Sequence, residues 1–352
     1  MNADPHLFTT PATPIATAIQ NFVLRAGTPT SLGSLPHVDP RAAAEFVLEH
    51  QPLLPAIPSL PRRSVYESMV VQAADGIPGV AVDENGALHI DHRRMDPVAP
   101  ITTDLGHDAY GAMRAFLDVA RGREGRVKWQ ACGPITLGLE LVKAGAPSNI
   151  AFDVATRAVR VRLRALHRAV AEALPRAEQV VFVDEPGLVH LMRPGFPLPP
   201  DVAIDLVSGV LAGIELSAAA GVHCCGEVDP AALTAIGPRI LSLPVHRGLI
   251  DATGYLTEFL EHGGWIAWGV VPTDRPLASS SHRYWTELTG LWVELVQRGA
   301  DLIRLRTQAL VTPVCGLVGF EIDQAALVLR HVAAVGEKVA EQAVATRLSL
   351  GA

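Results

Sequence analysis

The chain is poor in cysteine, aromatic residues and charge. Its 352 residues include only 4 cysteines, too few for a disulfide scaffold in a chain of this length. The 36 acidic residues outnumber the 29 basic ones, and no basic cluster with interleaved aromatic residues occurs. We therefore expect neither nucleic acid nor an anionic membrane surface among its partners.

The chain also lacks an uninterrupted apolar run long enough to span a membrane, and it lacks a secretory signal. The most apolar long stretch, residues 202–225, contains Asp205 and Glu215, which favours a buried helix followed by a strand over a membrane span. The first residues, Met1–His6, do not combine a positive region with an apolar one. We expect a cytoplasmic protein whose cysteines serve as ligands, nucleophiles or buried apolar residues.

What the chain does contain is an alternation of short apolar runs with longer amphipathic ones. Continuous apolar runs such as Val180–Val183 are typical of strands buried on both faces of a parallel sheet. The Asn-Gly turn between residues 79–82 and 87–90 predicts an inserted β-hairpin. The strand count and the length favour a single (β/α)8 TIM-type barrel over an open doubly wound sheet. We assign residues 1–28 to a short N-terminal extension and residues 29–352 to the catalytic barrel.

The start of the barrel is predicted from three short segments. Residues 31–35 form an apolar run that ends before a proline, which predicts a strand. Residues 53–61 are rich in proline and are predicted to be a loop. Asp39, followed by Pro40, predicts the N-terminus of a helix, with the aspartate as the N-cap.

Polar residues lie at or just past the C-terminal ends of the predicted strands. In a TIM-type barrel this is the catalytic face. These residues are Ser34, Gln130, Asp184, His223, Cys225, Asp274 and Cys315.

A histidine and two cysteines form the strongest chemical signal. Strand side chains alternate between faces, so His223 and Cys225 point the same way and Cys224 points the other way, unless a bulge exchanges the two cysteines. Cys315 follows another strand in a Pro-x-Cys-Gly turn. One imidazole and two thiolates are typical of a zinc site with an open fourth position. The alternative is two buried apolar cysteines and a hydrogen-bonded core histidine.

Three further groups are candidates for substrate binding or proton transfer. Asp184 and Glu185 follow an apolar strand, where a carboxylate binds a substrate ammonium, acts as a base or caps a helix. Gly33 and Ser34 offer backbone amides and a hydroxyl to a substrate carboxylate, or form a plain turn. Asp274 is either a proton donor on a loop that faces the pocket or a surface residue.

Five motifs, taken in order, resemble the C-terminal catalytic barrel of cobalamin-independent methionine synthase. They are Gly33–His37, Gly133–Thr136, Val183–Leu188, His223–Cys225 and Pro313–Leu317. More broadly, they are similar to the superfamily that also contains methylcobamide:thiol methyltransferases and uroporphyrinogen decarboxylase. The resemblance extends over most of the chain, from about residue 30 to residue 340.

The resemblance implies a site for zinc and homocysteine. The hydroxyl of Ser34, the backbone of Gly33 and the carboxylate of Asp184 correspond to the groups that hold the amino-acid part of homocysteine in that family. The residues that correspond to the family's zinc ligands are His223, Cys225 and Cys315.

The implied activity is zinc-dependent transfer of a methyl group to the thiol of homocysteine, giving methionine. The donor is methyltetrahydrofolate, for which Asp274 or Glu185 would protonate the leaving nitrogen, or a methylcobamide, with a corrinoid protein as partner. Three alternatives remain. They are alkyl transfer to another small thiol, for instance by epoxide opening, a superfamily decarboxylase, and a zinc-stabilised binding protein without activity.

The sequence also departs from the methionine synthase pattern. The family's glutamate ligand is absent, since the strand Leu241–His246 contains no acid. The remaining three-ligand set resembles that of the cobamide:thiol methyltransferases. Asp274 stands where the family has a histidine that serves as an acid. The family's His-Gly-Glu segment, which contacts the substrate, is absent, and Ala74–Pro78 lies near the corresponding position.

Overall fold

The computed structural model describes residues 24–349, so most of the predicted extension, residues 1–23, lies outside the described residues. The strands are β1 (Thr28–Pro29), β2 (Val80–Val82), β3 (Leu88–Ile90), β4 (Gly125–Cys132), β5 (Ala177–Asp184), β6 (Ala219–His223), β7 (Ile240–Pro244), β8 (Trp265–Val271) and β9 (Ala309–Pro313). The α-helices are α1 (Pro40–His50), α2 (Met69–Ala74), α3 (Gly111–Val119), α4 (Pro134–Lys143), α5 (Ser148–Ala173), α6 (Pro200–Leu211), α7 (Pro230–Ala235), α8 (Thr253–Glu261), α9 (His282–Gln297), α10 (Leu302–Thr307) and α11 (Ile322–Ser349). Short 3-10 helices occupy Val65–Glu67, Asp108–Tyr110, Pro186–His190 and Arg247–Ala252.

Seven parallel strands form one sheet in the order β1-β9-β8-β7-β6-β5-β4. Strands β4 to β9 therefore lie side by side in chain order, and helices connect them on the outside. The predicted parallel α/β architecture is confirmed, although the regular sheet has one strand fewer than expected. Strands β2 and β3 form the predicted antiparallel hairpin apart from this sheet.

The proline-rich segment at residues 54–59 lies between edge strand β4 and the turn at residues 33–35 that follows β1. On one side, Ile57 N donates to Lys128 O of β4 at 2.7 Å. On the other side, Leu35 N donates to Ser59 O at 3.0 Å. The pairing consists of isolated bridges rather than a ladder because Pro55 and Pro58 have no N–H to donate.

The first strand is shorter than predicted. Strand β1 covers only Thr28–Pro29, and the predicted strand at residues 31–35 is an irregular turn. Gly33 causes this break, because its φ of 78° lies in the left-handed region and interrupts an extended chain. The helix predicted after Asp39 is confirmed, since the Asp39 carboxylate accepts hydrogen bonds from the first two N–H groups of α1.

The strands carry two apolar layers. Side chains facing the helices belong to a large core, and those facing the concave side form a smaller cluster in the interior of the sheet. Alternation along β5 illustrates this division, because Val180 and Phe182 point inward while Val181 and Val183 point outward. The C-terminal ends of β4 to β9 meet at one rim, where the polar side chains collect.

No helix within residues 24–349 is long and apolar enough to cross a membrane.

Candidate metal and substrate site

His223, Cys225 and Cys315 converge at the C-terminal rim of the sheet. His223 ends β6, Cys225 lies two residues further on, and Cys315 follows β9. The curvature of the sheet brings these strand ends together, although β7 and β8 separate them in the strand order. One nitrogen and two sulfur atoms lie within 4.8 Å of one another. The structure therefore assembles the three residues that were predicted as zinc ligands.

The orientation of His223 is fixed by a buried serine. The ring Nδ1 lies 3.0 Å from the hydroxyl of Ser242 on the neighbouring strand β7. Both residues are buried. Because Nδ1 is engaged in this bond, Nε2 is the ring nitrogen available to a metal. A histidine that binds a metal is commonly oriented by a hydrogen bond to its other ring nitrogen in this way.

The two thiols of the group are linked by a hydrogen bond. This contact between the thiols lowers the pKa of Cys225 and raises the pKa of Cys315. Such a pair titrates as a unit. Two sulfurs close enough to share a proton fit a soft divalent metal such as zinc, which replaces that proton.

Cys224 lies on the other face, as the strand alternation predicts. It is fully buried in the outer core, and burial raises its pKa to about 11. Among residues 24–349, no fourth histidine, cysteine, aspartate or glutamate completes the metal group. Glu227 is largely exposed and lies 3.9 Å from Nδ1 of His246. Within the described part of the chain, the group therefore has the three-ligand composition of an open site.

Asp184 lines the same cavity and, among residues 24–349, has one carboxylate oxygen without a hydrogen-bond partner. It ends β5 directly beside His223, its register partner on β6. Its Oδ2 accepts a hydrogen bond from Gln130 Nε2 at 2.6 Å, whereas the buried Oδ1 has no hydrogen-bond partner. Burial raises the pKa of this carboxyl. A buried oxygen without a hydrogen-bond partner destabilises the fold unless a ligand supplies a donor. The ammonium group of an amino acid is such a donor.

Gly33 and Ser34 also line the cavity. Ser34 O accepts a hydrogen bond from Leu317 N at 2.8 Å, which links the first strand region to the Cys315 loop. Gly316 makes this approach possible, because a Cβ there would lie 1.9 Å from Ser34 Oγ. The Ser34 hydroxyl and the metal group therefore belong to one compact site.

One cavity of about 370 Å³ contains these groups, a volume typical of small-molecule sites. Its polar lining includes Ser34, Asp184, His223, Cys225 and Cys315. Large side chains form much of the remaining wall, namely Met69, Tyr110, Met113, Trp129 and Leu166.

Comparison with solved structures finds a B12-independent methionine synthase from Shewanella sp. W3-18-1, in complex with selenomethionine, at a TM-score of 0.60. The match covers 91% of this chain and 99% of that one, with 13% sequence identity. The two chains share a fold. No protein-family model and no curated protein matches the sequence.

Glu185 does not reach the cavity, although it was a candidate acid. Its carboxylate accepts hydrogen bonds from Ile135 N at 2.9 Å, Thr136 N at 2.7 Å and Thr136 Oγ1 at 2.7 Å. These donors belong to the first turn of α4. Burial raises the pKa of Glu185 to about 7, against the three hydrogen bonds, which favour the ionised form. The carboxylate anchors the N-terminus of α4, whereas it makes no capping hydrogen bond to the helical turn that directly follows it.

We predict that Glu185→Gln destabilises the protein. In the variant, the amide NH2 would face a backbone N–H that now donates to a carboxylate oxygen. A buried donor left without an acceptor costs about 1–3 kcal/mol. The free energy of unfolding, measured with denaturant at pH 8, should fall by that amount. Glu178→Gln is the matched control, since Glu178 lies on the same strand with its side chain 57% exposed. Equal stability of the two variants would refute the anchoring role.

Asp274 is also placed away from the metal group. It is exposed on the loop after β8 and does not line the cavity. Two residues gain importance instead, because Gln130 bonds to Asp184 and Lys128 bonds to Gln130. Gln130 was recognised from its strand-end position. The sequence did contain a signal for Lys128, because a lysine is unusual among the apolar residues of a buried strand. Strand periodicity alone does not explain its presence there.

Proposed function

We propose that the protein is a zinc-dependent methyltransferase that methylates the thiol of homocysteine. One observation carries the proposal. The His223, Cys225 and Cys315 group lines the same small cavity as Asp184, whose buried Oδ1 has no hydrogen-bond partner among the described residues. A thiol-activating metal and an ammonium-binding carboxylate in one cavity suit an amino acid that carries a thiol.

His223, Cys225 and Cys315 would hold the zinc ion. When bound, zinc lowers the pKa of a coordinating thiol, so that the sulfur is present as a thiolate at neutral pH. Ser242 holds the imidazole of His223 in place through Nδ1. A site stabilising the fold alone would require four protein ligands, so the three-residue group favours an enzyme over a zinc-stabilised binding protein.

Asp184 and the Gly33–Ser34 turn would bind the amino-acid part of the acceptor. Asp184 Oδ1 accepts a hydrogen bond from the ammonium, a charge-assisted contact that supplies the missing partner. The Ser34 hydroxyl, which lines the same cavity, donates to the carboxylate. Contacts on both charged groups fix the position of the sulfur, and such positioning is a large part of the rate gain in a transfer between two bound partners.

The methyl donor is the second part of the proposal. Two carboxylates line the cavity, Glu67 and Asp184. Glu67 is buried and engaged with Leu60 N, Ala112 N and Arg63, while Asp184 is assigned to the ammonium. Among the described lining residues, neither carboxylate is therefore free to protonate a leaving nitrogen or an epoxide oxygen.

A methylcobamide fits this lack of an acid better than methyltetrahydrofolate does. The sulfur–carbon bond forms as the cobalt–carbon bond breaks, its electron pair stays on cobalt, and the thiol proton passes to solvent. No acid is consumed. We therefore favour a methylcobamide, presented by a corrinoid protein, as the donor.

The fold part of the proposal concerns the gap between β1 and β4. We propose that residues 54–59 occupy the position of an eighth barrel strand, supported by the hydrogen bonds that this segment makes to β4 on one side and to the turn after β1 on the other. The segment also contributes Ile57, Pro58 and Ser59 to the cavity wall.

Transfer of a labelled methyl group tests the function and the donor together. We expect zinc-replete protein to form labelled methionine from homocysteine and a methylcobamide, and none from methyltetrahydrofolate. Protein stripped of zinc by a chelator is the control and should be inactive. Absence of product with either donor would refute the function, whereas product from the folate alone would refute only the choice of donor.

A further inference from the structure

A lysine is buried on the concave side of the sheet, below the cavity. Lys128 on β4 has no exposed surface. Its Nζ lies 2.5 Å from Gln130 Oε1 and 4.3 Å from the centre of the Phe182 ring. Burial lowers the pKa of this lysine to about 7. Within the described residues the amine makes no direct salt bridge, and the charge of Asp184 offsets the effect of burial on its pKa only in part. Its burial therefore costs stability, and its position requires another explanation.

The hydrogen bonds of Gln130 define the orientation of its side-chain amide. Its Nε2 donates to Leu32 O at 2.5 Å and to Asp184 Oδ2 at 2.6 Å. Both partners only accept, so the NH2 group must face them. The amide oxygen then faces Lys128, whose amine donates to it. If the amide were turned, its oxygen would oppose two other acceptor oxygens.

The chain of contacts ends at Oδ2 of Asp184, the carboxylate oxygen opposite the one assigned to the substrate. Gln130 engages only Oδ2 of Asp184, and Oδ1 remains without a partner beside the cavity. Gly33 packs against the other side of Gln130, since a Cβ at Gly33 would lie 3.2 Å from Gln130 Cδ. The glutamine is therefore held by Lys128 below and by the Gly33 turn beside it.

We propose that Lys128 is a positioning residue that makes the site selective for amino-bearing thiols. It acts through Gln130, whose fixed amide holds Asp184 with Oδ1 directed to the ammonium of the acceptor. The inference rests on the proposed function, because it assumes that Asp184 binds this ammonium. It adds a specificity determinant that does not itself touch the substrate.

The test compares two thiols that differ only in the amino group. Homocysteine and 4-mercaptobutanoate both carry the thiol and the carboxylate, but only homocysteine carries the ammonium. Binding of each to the zinc-loaded protein is measured by titration calorimetry for wild type, Lys128→Met and the control Lys143→Met, whose side chain is 76% exposed. We expect Lys128→Met to lose about tenfold in affinity for homocysteine, the effect of one hydrogen bond to a charged group, with no change for 4-mercaptobutanoate.

Gln130→Met provides a second route to the same result, should Lys128→Met fold poorly. It breaks the same chain of contacts while leaving the buried lysine in place, and it should weaken homocysteine binding selectively as well. Equal loss for the two thiols, or no loss, would overturn the positioning role. If wild type binds 4-mercaptobutanoate as tightly as homocysteine, the assignment of Asp184 to the ammonium fails. If wild type binds neither thiol, the proposed function itself fails.

Discussion

Replacement of Cys315 by serine should remove the metal from the protein. Wild type is expected to bind about one zinc per chain through three residues, and loss of one of these three ligands leaves a weak site. Zinc content after dialysis should fall to near zero, and methyl transfer to homocysteine should fall to background. Both quantities can be measured on the same preparation, by atomic emission and by the labelled-methyl assay.

Cys224→Ser is the matched control for this variant. Cys224 adjoins Cys225 in sequence but lies in the outer core, on the other face from the metal group. The serine variant should keep its zinc, although the buried hydroxyl lowers its stability. Retention of zinc by Cys315→Ser would remove Cys315 from the site. Loss of zinc from Cys224→Ser, with the fold intact, would show that a bulge exchanges the two neighbouring cysteines.

Asp184→Asn should retain zinc but lose affinity for the acceptor. Asparagine keeps the shape of the side chain and removes the negative charge that opposes the ammonium. Loss of one partner from a buried charge pair costs about 2–5 kcal/mol, which corresponds to roughly 30-fold or more in binding. The dissociation constant for homocysteine, measured by titration calorimetry on zinc-loaded protein, should rise by at least that factor.

The control for this variant is Asp251→Asn. The Asp251 side chain is 85% exposed and pairs with Arg298 on the surface, so its loss should leave homocysteine binding unchanged. Two outcomes for Asp184→Asn would contradict the account. Unchanged affinity would show that the ammonium binds elsewhere, and loss of zinc would show that Asp184 supports the metal rather than the substrate.

The grouping of His223, Cys225 and Cys315 could be predicted because each of them is identified by the strand end or turn in which it lies. Two-residue alternation along β6 separates Cys224 from the pair His223 and Cys225, and the outward burial of Cys224 agrees with it. Parallel strands bring their C-terminal ends to one rim, so Cys315 could be added from a distant motif.

Other features depend on contacts between distant segments. Glu185 meets its donors at the start of α4, about fifty residues earlier in the chain, and nothing in the neighbouring sequence identifies them. The pairing of residues 54–59 with β4 and with the turn after β1 was hidden by prolines, which predict a loop. The role of Lys128 emerges only when Gln130 and Asp184 are seen side by side.

The central claim is that three protein ligands leave one position at the zinc for the acceptor sulfur. X-ray absorption at the zinc edge tests it directly, because zinc–sulfur distances of about 2.3 Å are distinct from distances to nitrogen or oxygen. We predict two sulfur neighbours in the zinc-loaded protein and three after addition of homocysteine. An unchanged sulfur count after addition, or a count of three before it, would contradict the account.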